Sequence, residues 1–522
     1  MTRSTEPSAE HQAGIRHLGK QTTVMMGGTA FTFLVGLPFQ IYLAHAIGAT
    51  GLGVIGIAEA AVLMLSGFLS LGLAQLPLRF IPEYRVTGST RSIRLLLAGG
   101  LLALAISGTL GALFVSSLVA YLPDRLGMTD ETRALLQTMR YLLPVSLLSF
   151  FLSQALRGFL LITVVVLSTS VLALLFKVIL TVGFFATLGS SPENYALAIV
   201  LSQALAMLPM AWALWRQQRA LPADTSGKPL DRHALVSYAV TAYASGLMGN
   251  LVGNMDRIVI GALLGSAAVG VLMVVRQLEQ FPAVFHRAVL TVVSPIFARL
   301  HAGRQTQALE HQLHLSNDWI IRLASPLILV LLILPDHVLA LYGANFARDG
   351  SALLVVMVLS IIVGLGTGPV GILLNMTGHH VVLLRISALS ALSVFAGYFL
   401  LIPVFGLVGA GLAILLGNII SNGAGVWLVH QKLGIAWHDP RFRRWILPSL
   451  ATSAVLVAAR PVLSGLDGIG AQGVLLAGVT IVAYTIYFGV NLLSGLNEDD
   501  RVLVHAIKSR LAGLRGKKAS ET

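Results

Sequence analysis

The chain contains no cysteine, which excludes disulfides and thiolate metal sites. Charge is scarce as well: only 11% of the 522 residues are Asp, Glu, Lys or Arg. Soluble domains carry roughly 25%, so this chain lacks the charge to cover a water-facing surface of its size. It also lacks a glycine-rich phosphate loop of the G-x-x-x-x-G-K-[ST] type, which removes direct ATP hydrolysis as a motor. Its first 21 residues are polar and mixed in charge, without the short apolar core and small-residue site of a cleaved leader, so none is expected. No metal motif or Ser/His/Asp grouping is evident, and no cofactor is expected.

What is present is apolar. Hydrophobic residues make up 56% of the chain and the mean hydropathy is +0.83. They fall in blocks of about 20 or more, the length that crosses a hydrocarbon core of roughly 30 Å. In lipid every backbone N–H and C=O must be satisfied within the protein, so such blocks form helices. The sequence predicts an all-α integral membrane protein of about fourteen transmembrane helices. They lie near 22–46, 54–77, 95–121, 136–156, 159–188, 195–215, 235–262, 267–297, 319–341, 351–376, 381–403, 407–429, 446–464 and 472–495.

Thirty-five Lys and Arg against 22 Asp and Glu give a net charge of +13. In a soluble protein that would point to nucleic acid. Here it follows from topology. With the N-terminus in the cytoplasm, 25 basic residues fall in cytoplasmic segments, and only Arg125, Arg133 and Arg348 fall outside. This positive-inside bias predicts an even helix count with both termini in the cytoplasm, and it explains the basic charge without a nucleic-acid partner.

An internal repeat is visible. Gly48-Ala49-Thr50-Gly51-Leu52-Gly53-Val54 follows helix one, and Gly265-Ser266-Ala267-Ala268-Val269-Gly270-Val271 follows helix seven. An offset of six helices gives both halves the same orientation. The reading is a cytoplasmic segment 1–21, a six-helix lobe 22–220, a second six-helix lobe 234–430, two extra helices within 446–495, and a basic tail 496–522. Repeats of this kind enclose a cavity that opens alternately to each side. The tail mixes apolar residues with six Lys and Arg and reads as an amphipathic helix on an anionic membrane surface.

Three stretches carry a family likeness: Gly48 to Gly53 leading to Arg79-Phe80-Ile81-Pro82-Glu83-Tyr84; Asp256-Arg257-Ile258-Val259-Ile260-Gly261 with Gly265 and Gly270; and Leu341-Tyr342-Gly343-Ala344-Asn345-Phe346 followed by Gly368-Pro369, Asn375-Met376-Thr377-Gly378 and Ile402-Pro403. On these the chain resembles the polysaccharide and O-antigen flippases (Wzx type) of the multidrug/oligosaccharidyl-lipid/polysaccharide exporter superfamily. The resemblance implies export of an undecaprenyl-diphosphate-linked oligosaccharide across a bacterial inner membrane. It also implies alternating access coupled to an ion gradient. Partners would be the lipid-linked oligosaccharide, membrane lipids, glycosyltransferases, a polymerase and a chain-length regulator.

A diphosphate cargo needs fixed cations, and charges within membrane helices are functional candidates by default. Arg276 and Arg287 in helix eight are three turns apart on one face, with Glu279 about 60° from Arg276. The alternatives are an Arg276–Glu279 pair that holds helices together and an Arg287 that snorkels beside His286. Lys177 in helix five has no neutralising group in its own helix. Arg140, near the outer end of helix four, reads more as interfacial than as cavity-lining. In helix seven Asn250, Asn254 and Arg257 form a polar stripe with Asp256 beside it. The Asp256-Arg257 pair is open between an ion pair and a cation or proton relay. Glu59 aligns with Arg276 in the repeat, which suggests a salt bridge that closes one state. Glu59, Asp256, Glu279 and His286 are the groups able to take a proton. Asn375, Asn418 and Asn422 are read as amides that bond across helices. Rival readings are a multidrug antiporter or a lipid II flippase of the same superfamily, and a membrane polymerase or ligase.

Overall fold

The computed structural model describes residues 9–121, 130–223, 230–436, 444–465 and 468–494. The expected tail 496–522 lies outside them. Among the described residues there is no strand. Twelve helices among these residues are long and apolar enough to cross a membrane.

In chain order the helices are α1 (Ala9–Leu69), α2 (Leu76–Val86), α3 (Thr90–Tyr121), α4 (Asp130–Met139), α5 (Leu142–Gly158) and α6 (Ile162–Val166). Then come α7 (Ala173–Leu188), α8 (Pro192–Arg219), α9 (Arg232–Leu264), α10 (Ser266–Ala302), α11 (Thr306–Ile333) and α12 (Pro335–Ala340). The last are α13 (Ala344–Gly366), α14 (Val370–Met376), α15 (His380–Leu433), α16 (Ile446–Ser464) and α17 (Ile469–Leu493). A six-residue π-helical stretch, Leu167–Leu172, joins α6 to α7.

Two of the twelve spans are too long for a single crossing. Gly27–Leu69 has 43 residues and Val381–Leu433 has 53. At 1.5 Å per residue these measure about 65 and 80 Å, twice or more the hydrocarbon thickness. Each breaks at a glycine in the left-handed region, Gly48 (φ 67°) in α1 and Gly406 (φ 57°) in α15. Only glycine takes this conformation without a steric penalty. Divided there, each of the two helices gives two segments of membrane-crossing length.

Several boundaries differ from the sequence reading. Helix one begins at Ala9, inside the segment assigned to the cytoplasm. Helix nine starts at Thr306 rather than 319 and ends at Ile333, where Pro335 opens the short α12. Its first turns hold Glu310, His311, His314, Asn317 and Asp318, which lower the local hydropathy and hide its start. Helix ten ends at Gly366, and Asn375 falls on the separate α14.

Packing follows the rule for lipid. Leu95, Leu102, Ile106, Leu110, Leu113 and Phe114 on α3 are exposed, while Ser146, Ser149, Ser153 and Gln154 on α5 are buried. An apolar surface this extensive is untenable in water and favourable against acyl chains. By packing, the chain forms two compact units, Met1–Val274 and Val275–Thr522.

Inside the first unit the two repeat motifs meet. A Cβ on Gly53 would stand 1.7 Å from the Ser266 carbonyl oxygen, and one on Gly270 would stand 1.9 Å from that of Ala49. Ala49 and Ser266 are repeat equivalents, as are Gly53 and Gly270, each pair 217 residues apart. The contact is therefore reciprocal, the signature of a local two-fold axis. Gly56 packs on Met273, also its own equivalent, and so lies near that axis. Backbone touches backbone here, and no side chain fits at either glycine.

In the second unit α16 and α17 dock on α11 and α12 through polar contacts. Trp445 Nε1 donates to Asp318 Oδ1 at 2.8 Å, and Tyr484 donates to the Leu323 carbonyl at 3.0 Å. Asp318 is ion-paired with Arg322 one turn along α11. Beyond the spans, Arg460 bonds Asp336 at 3.1 Å, and His337 lies 3.1 Å from the Ser464 hydroxyl. Burial alone would raise the Asp336 carboxyl. The hydrogen bond from Arg460, with the charges of His337 and Arg460, outweighs it and holds the carboxyl below its ordinary value of 3.8.

Two outcomes test this packing. Gly270→Val lowers the melting temperature of the purified protein in detergent, whereas Gly36→Val, with open space around it, leaves it unchanged. Asp336→Asn removes a contribution that exists only while the carboxyl is ionised. A depressed folded-state pKa stabilises above the unfolded value and is lost as pH falls through the folded one. The difference in melting temperature between Asp336→Asn and the parent is therefore steady from pH 7 to about 5 and closes below about pH 4.

Candidate functional site

The charged groups of the first unit converge from three helices. Glu59 lies on the part of α1 after the Gly48 break. Its carboxylate receives a hydrogen bond from the Arg257 guanidinium on α9 at 3.2 Å. Both side chains are about a quarter to a third exposed, at 26% for Arg257 and 32% for Glu59. Lys177 on α7 is partly buried and within electrostatic reach of Glu59, as is the buried Tyr195 on α8. Among the described residues the Lys177 ammonium makes no hydrogen bond or ion pair.

The expected polar stripe on α9 exists and has a clear role. The Asn250 amide donates to the Leu63 carbonyl of α1 at 2.9 Å. Asn254 donates back to the Asn250 side chain at 2.9 Å and to its carbonyl at 3.0 Å. Asparagines four residues apart on one face thus fasten α9 to α1 and bring Arg257, one turn further on, level with Glu59. The Arg257 guanidinium bonds Glu59, and Asp256 meets the backbone of the same residue. Asp256 is 3% exposed, and its carboxylate accepts from the Arg257 backbone N–H at 2.8 Å. The acid that serves Arg257 stands 198 residues away in sequence, so the repeat alignment that matched Glu59 with Arg276 did not identify this partner.

The other sequence candidates divide. Arg140 is engaged: it donates to Ser116 on α3 at 2.6 Å and to the Tyr141 hydroxyl at 2.7 Å, and it lies over the Tyr141 ring. That fits an interfacial anchor. In the second unit Arg276, Glu279 and His286 are partly buried along α10, and Arg287 is exposed. The His286 Nε2 atom is buried without a hydrogen-bond partner among the described residues. Asn418 on α15 donates to Ser360 on α13, and Asn422 accepts from Thr367, the residue that follows α13, at 3.1 Å. Asn375 is exposed and makes no side-chain hydrogen bond among the described residues, contrary to its reading as a helix-bonding amide. No group of three His, Cys, Asp or Glu able to hold a metal occurs among the described residues.

Sequence reasoning missed Tyr195 as a neighbour of Glu59 and gave no role to Asp318 or Arg322. The i,i+4 spacing of Asp318 and Arg322 was the available signal, but Asp318 fell one residue before the expected helix.

A family model described as "Polysaccharide biosynthesis protein" matches residues 18–301, more than half of the chain. None of the curated proteins matches the chain in sequence. Solved structures of similar fold include the lipid II flippase MurJ in an inward closed conformation, at TM-score 0.64 and 14% identity, covering 90% of this chain and 98% of that one. An inward-facing multidrug resistance MATE family transporter of the MOP superfamily gives 0.63 at 15% identity, covering 79% of this chain and 98% of the other. A MOP superfamily transporter from Pyrococcus furiosus gives 0.58 at 15% identity, covering 80% and 95%. These neighbours are transporters and a flippase, not enzymes. At such identities the likeness is one of fold.

The Glu59–Arg257 contact is measurable by a double-mutant cycle. Glu59→Gln and Arg257→Gln each lower stability in detergent, and the double variant loses less than the sum, with a coupling of about 1 kcal/mol. Additive losses would remove the pair from the account.

Proposed function

The chain belongs to the polysaccharide biosynthesis protein family, and on that premise we propose that it is a flippase for an undecaprenyl-diphosphate-linked oligosaccharide. It carries this cargo from the cytoplasmic to the outer leaflet of a bacterial inner membrane, with both termini in the cytoplasm, by alternating access of two lobes driven by an ion gradient. The observation that carries the reading is Lys177, a membrane-embedded ammonium without an ion pair beside a neutralised Glu59–Arg257 couple. An uncompensated charge in hydrocarbon is costly and marks a substrate or ion pathway. A diphosphate supplies the missing anion. A charge-assisted hydrogen bond to it is worth about 1.5–3 kcal/mol, tenfold or more in affinity.

In this reading Glu59 and Arg257 gate the site. Cargo phosphate competes with Glu59 for Arg257, and protonation of Glu59 releases the guanidinium. Asp256, Glu279 and His286 are further proton acceptors, and Arg276 and Arg287 further cavity cations. Glycosyltransferases, a polymerase and a chain-length regulator are the partners such a cargo requires.

The test is complementation. In a strain deleted for this protein, Lys177→Gln at normal expression leaves the lipid-linked oligosaccharide accumulated in the cytoplasmic leaflet. Lys177→Arg, which keeps the charge, restores most of its export. Full export by Lys177→Gln would overturn the assignment.

A further inference from the structure

A second cationic site lies in the second unit. Three membrane-length helices end at one place: α10 closes at Ala302, α11 opens at Thr306 and α15 closes at Leu433. Between them is a cavity of about 310 Å³ lined by His301, Arg304, Gln305, Thr306, Leu309, Lys432 and Leu433. Among the described residues its rim is basic and carries no acid. Its floor is apolar, since Leu309 is 2% exposed and belongs, with Leu433 packed against it, to a core that includes Phe297 and Leu313.

The cations are uncommitted. Among the described residues His301, Arg304 and Lys432 form no ion pair and no side-chain hydrogen bond. Glu310, one turn into α11, is occupied by the Ala436 backbone N–H at 3.1 Å. The turn itself is shaped around Arg304. Helix α10 terminates with the Gln305 N–H bonded to the Leu300 carbonyl at 3.0 Å, which places the intervening left-handed position at Arg304, φ 53°. Glycine is the usual residue there, and Gly303 sits one place too early. A strained arginine kept where glycine is adjacent in sequence is a reason to look for a ligand.

We propose that this cavity binds the phosphate of an anionic phospholipid headgroup at the membrane surface, with the lipid glycerol over Leu309 and Leu433. The site lies at the ends of membrane spans, on the side where basic residues concentrate. Basic pockets between transmembrane helices at such a surface suit anionic lipids. Arg304 and Lys432 supply the charge, and His301 a further donor. The proposal is independent of which cargo the protein carries.

The test uses the purified full-length chain in neutral detergent, titrated with short-chain phosphatidylglycerol, phosphatidylcholine or inorganic phosphate while its melting temperature is followed. Phosphatidylglycerol raises the melting temperature and phosphatidylcholine does not. The triple variant His301→Gln/Arg304→Gln/Lys432→Gln loses at least tenfold in apparent affinity. Arg216→Gln/Arg219→Gln, which removes two cations from the end of α8, keeps the parent response. If the triple variant is poorly folded, the exposed single charge reversal Lys432→Glu serves and weakens binding several-fold. Inorganic phosphate reproducing the full shift would retain the phosphate site but overturn the lipid as its source. Equal response to phosphatidylcholine, or equal loss in the α8 variant, would overturn the site.

Discussion

A charged side chain in hydrocarbon carries a penalty of about 2.5–3.5 kcal/mol at a helix centre, and a partner relieves most of it. This constraint organises the molecule. Arg257 reaches Glu59 on another helix, and Asp318 is paired with Arg322 and bonded by Trp445. Each pairing decides how helices sit. The asparagine stripe holds α9 on α1 so that Arg257 meets Glu59, and Trp445 brings the last two helices against α11. At Lys177 a charge remains for something else to neutralise. The functional reading grows from that remainder.

The helix starts Gly48–Gly53 and Gly265–Gly270 add a second constraint. Backbone lies on backbone in a reciprocal contact whose geometry admits no side chain at Gly53 or Gly270. Such a seam is strong in dispersion and carries no ionic lock.

The helical architecture was legible in the sequence because apolar block length and the asymmetry of basic residues are one-dimensional signals. So was the Asn250–Asn254 stripe, since a four-residue spacing fixes a face. The Arg257 partner was not legible: Glu59 is 198 residues away, and the repeat alignment pointed instead to Arg276. Asp318 was lost for another reason. The polar first turns of α11 dilute the hydropathy, so the span looked as if it began at 319, one residue after Asp318. Asn375 was misplaced because Gly368, at φ 74°, separates α14 from α13 inside what reads as a single apolar block. Left-handed glycines cut the chain where hydropathy runs on, and at Gly48 the motif revealed the cut, whereas at Gly368 it did not.

The central claim is movement of a lipid-linked, phosphate-bearing glycan between leaflets. The direct measurement reconstitutes the purified chain in vesicles loaded with a fluorescent undecaprenyl-diphosphate-linked glycan and follows its accessibility to a membrane-impermeant glycan-cleaving enzyme. With an imposed ion gradient, the account predicts that inner-leaflet glycan becomes accessible far faster than in protein-free vesicles, and more slowly with Lys177→Gln. Accessibility that stays at the protein-free rate in vesicles holding folded protein would contradict it.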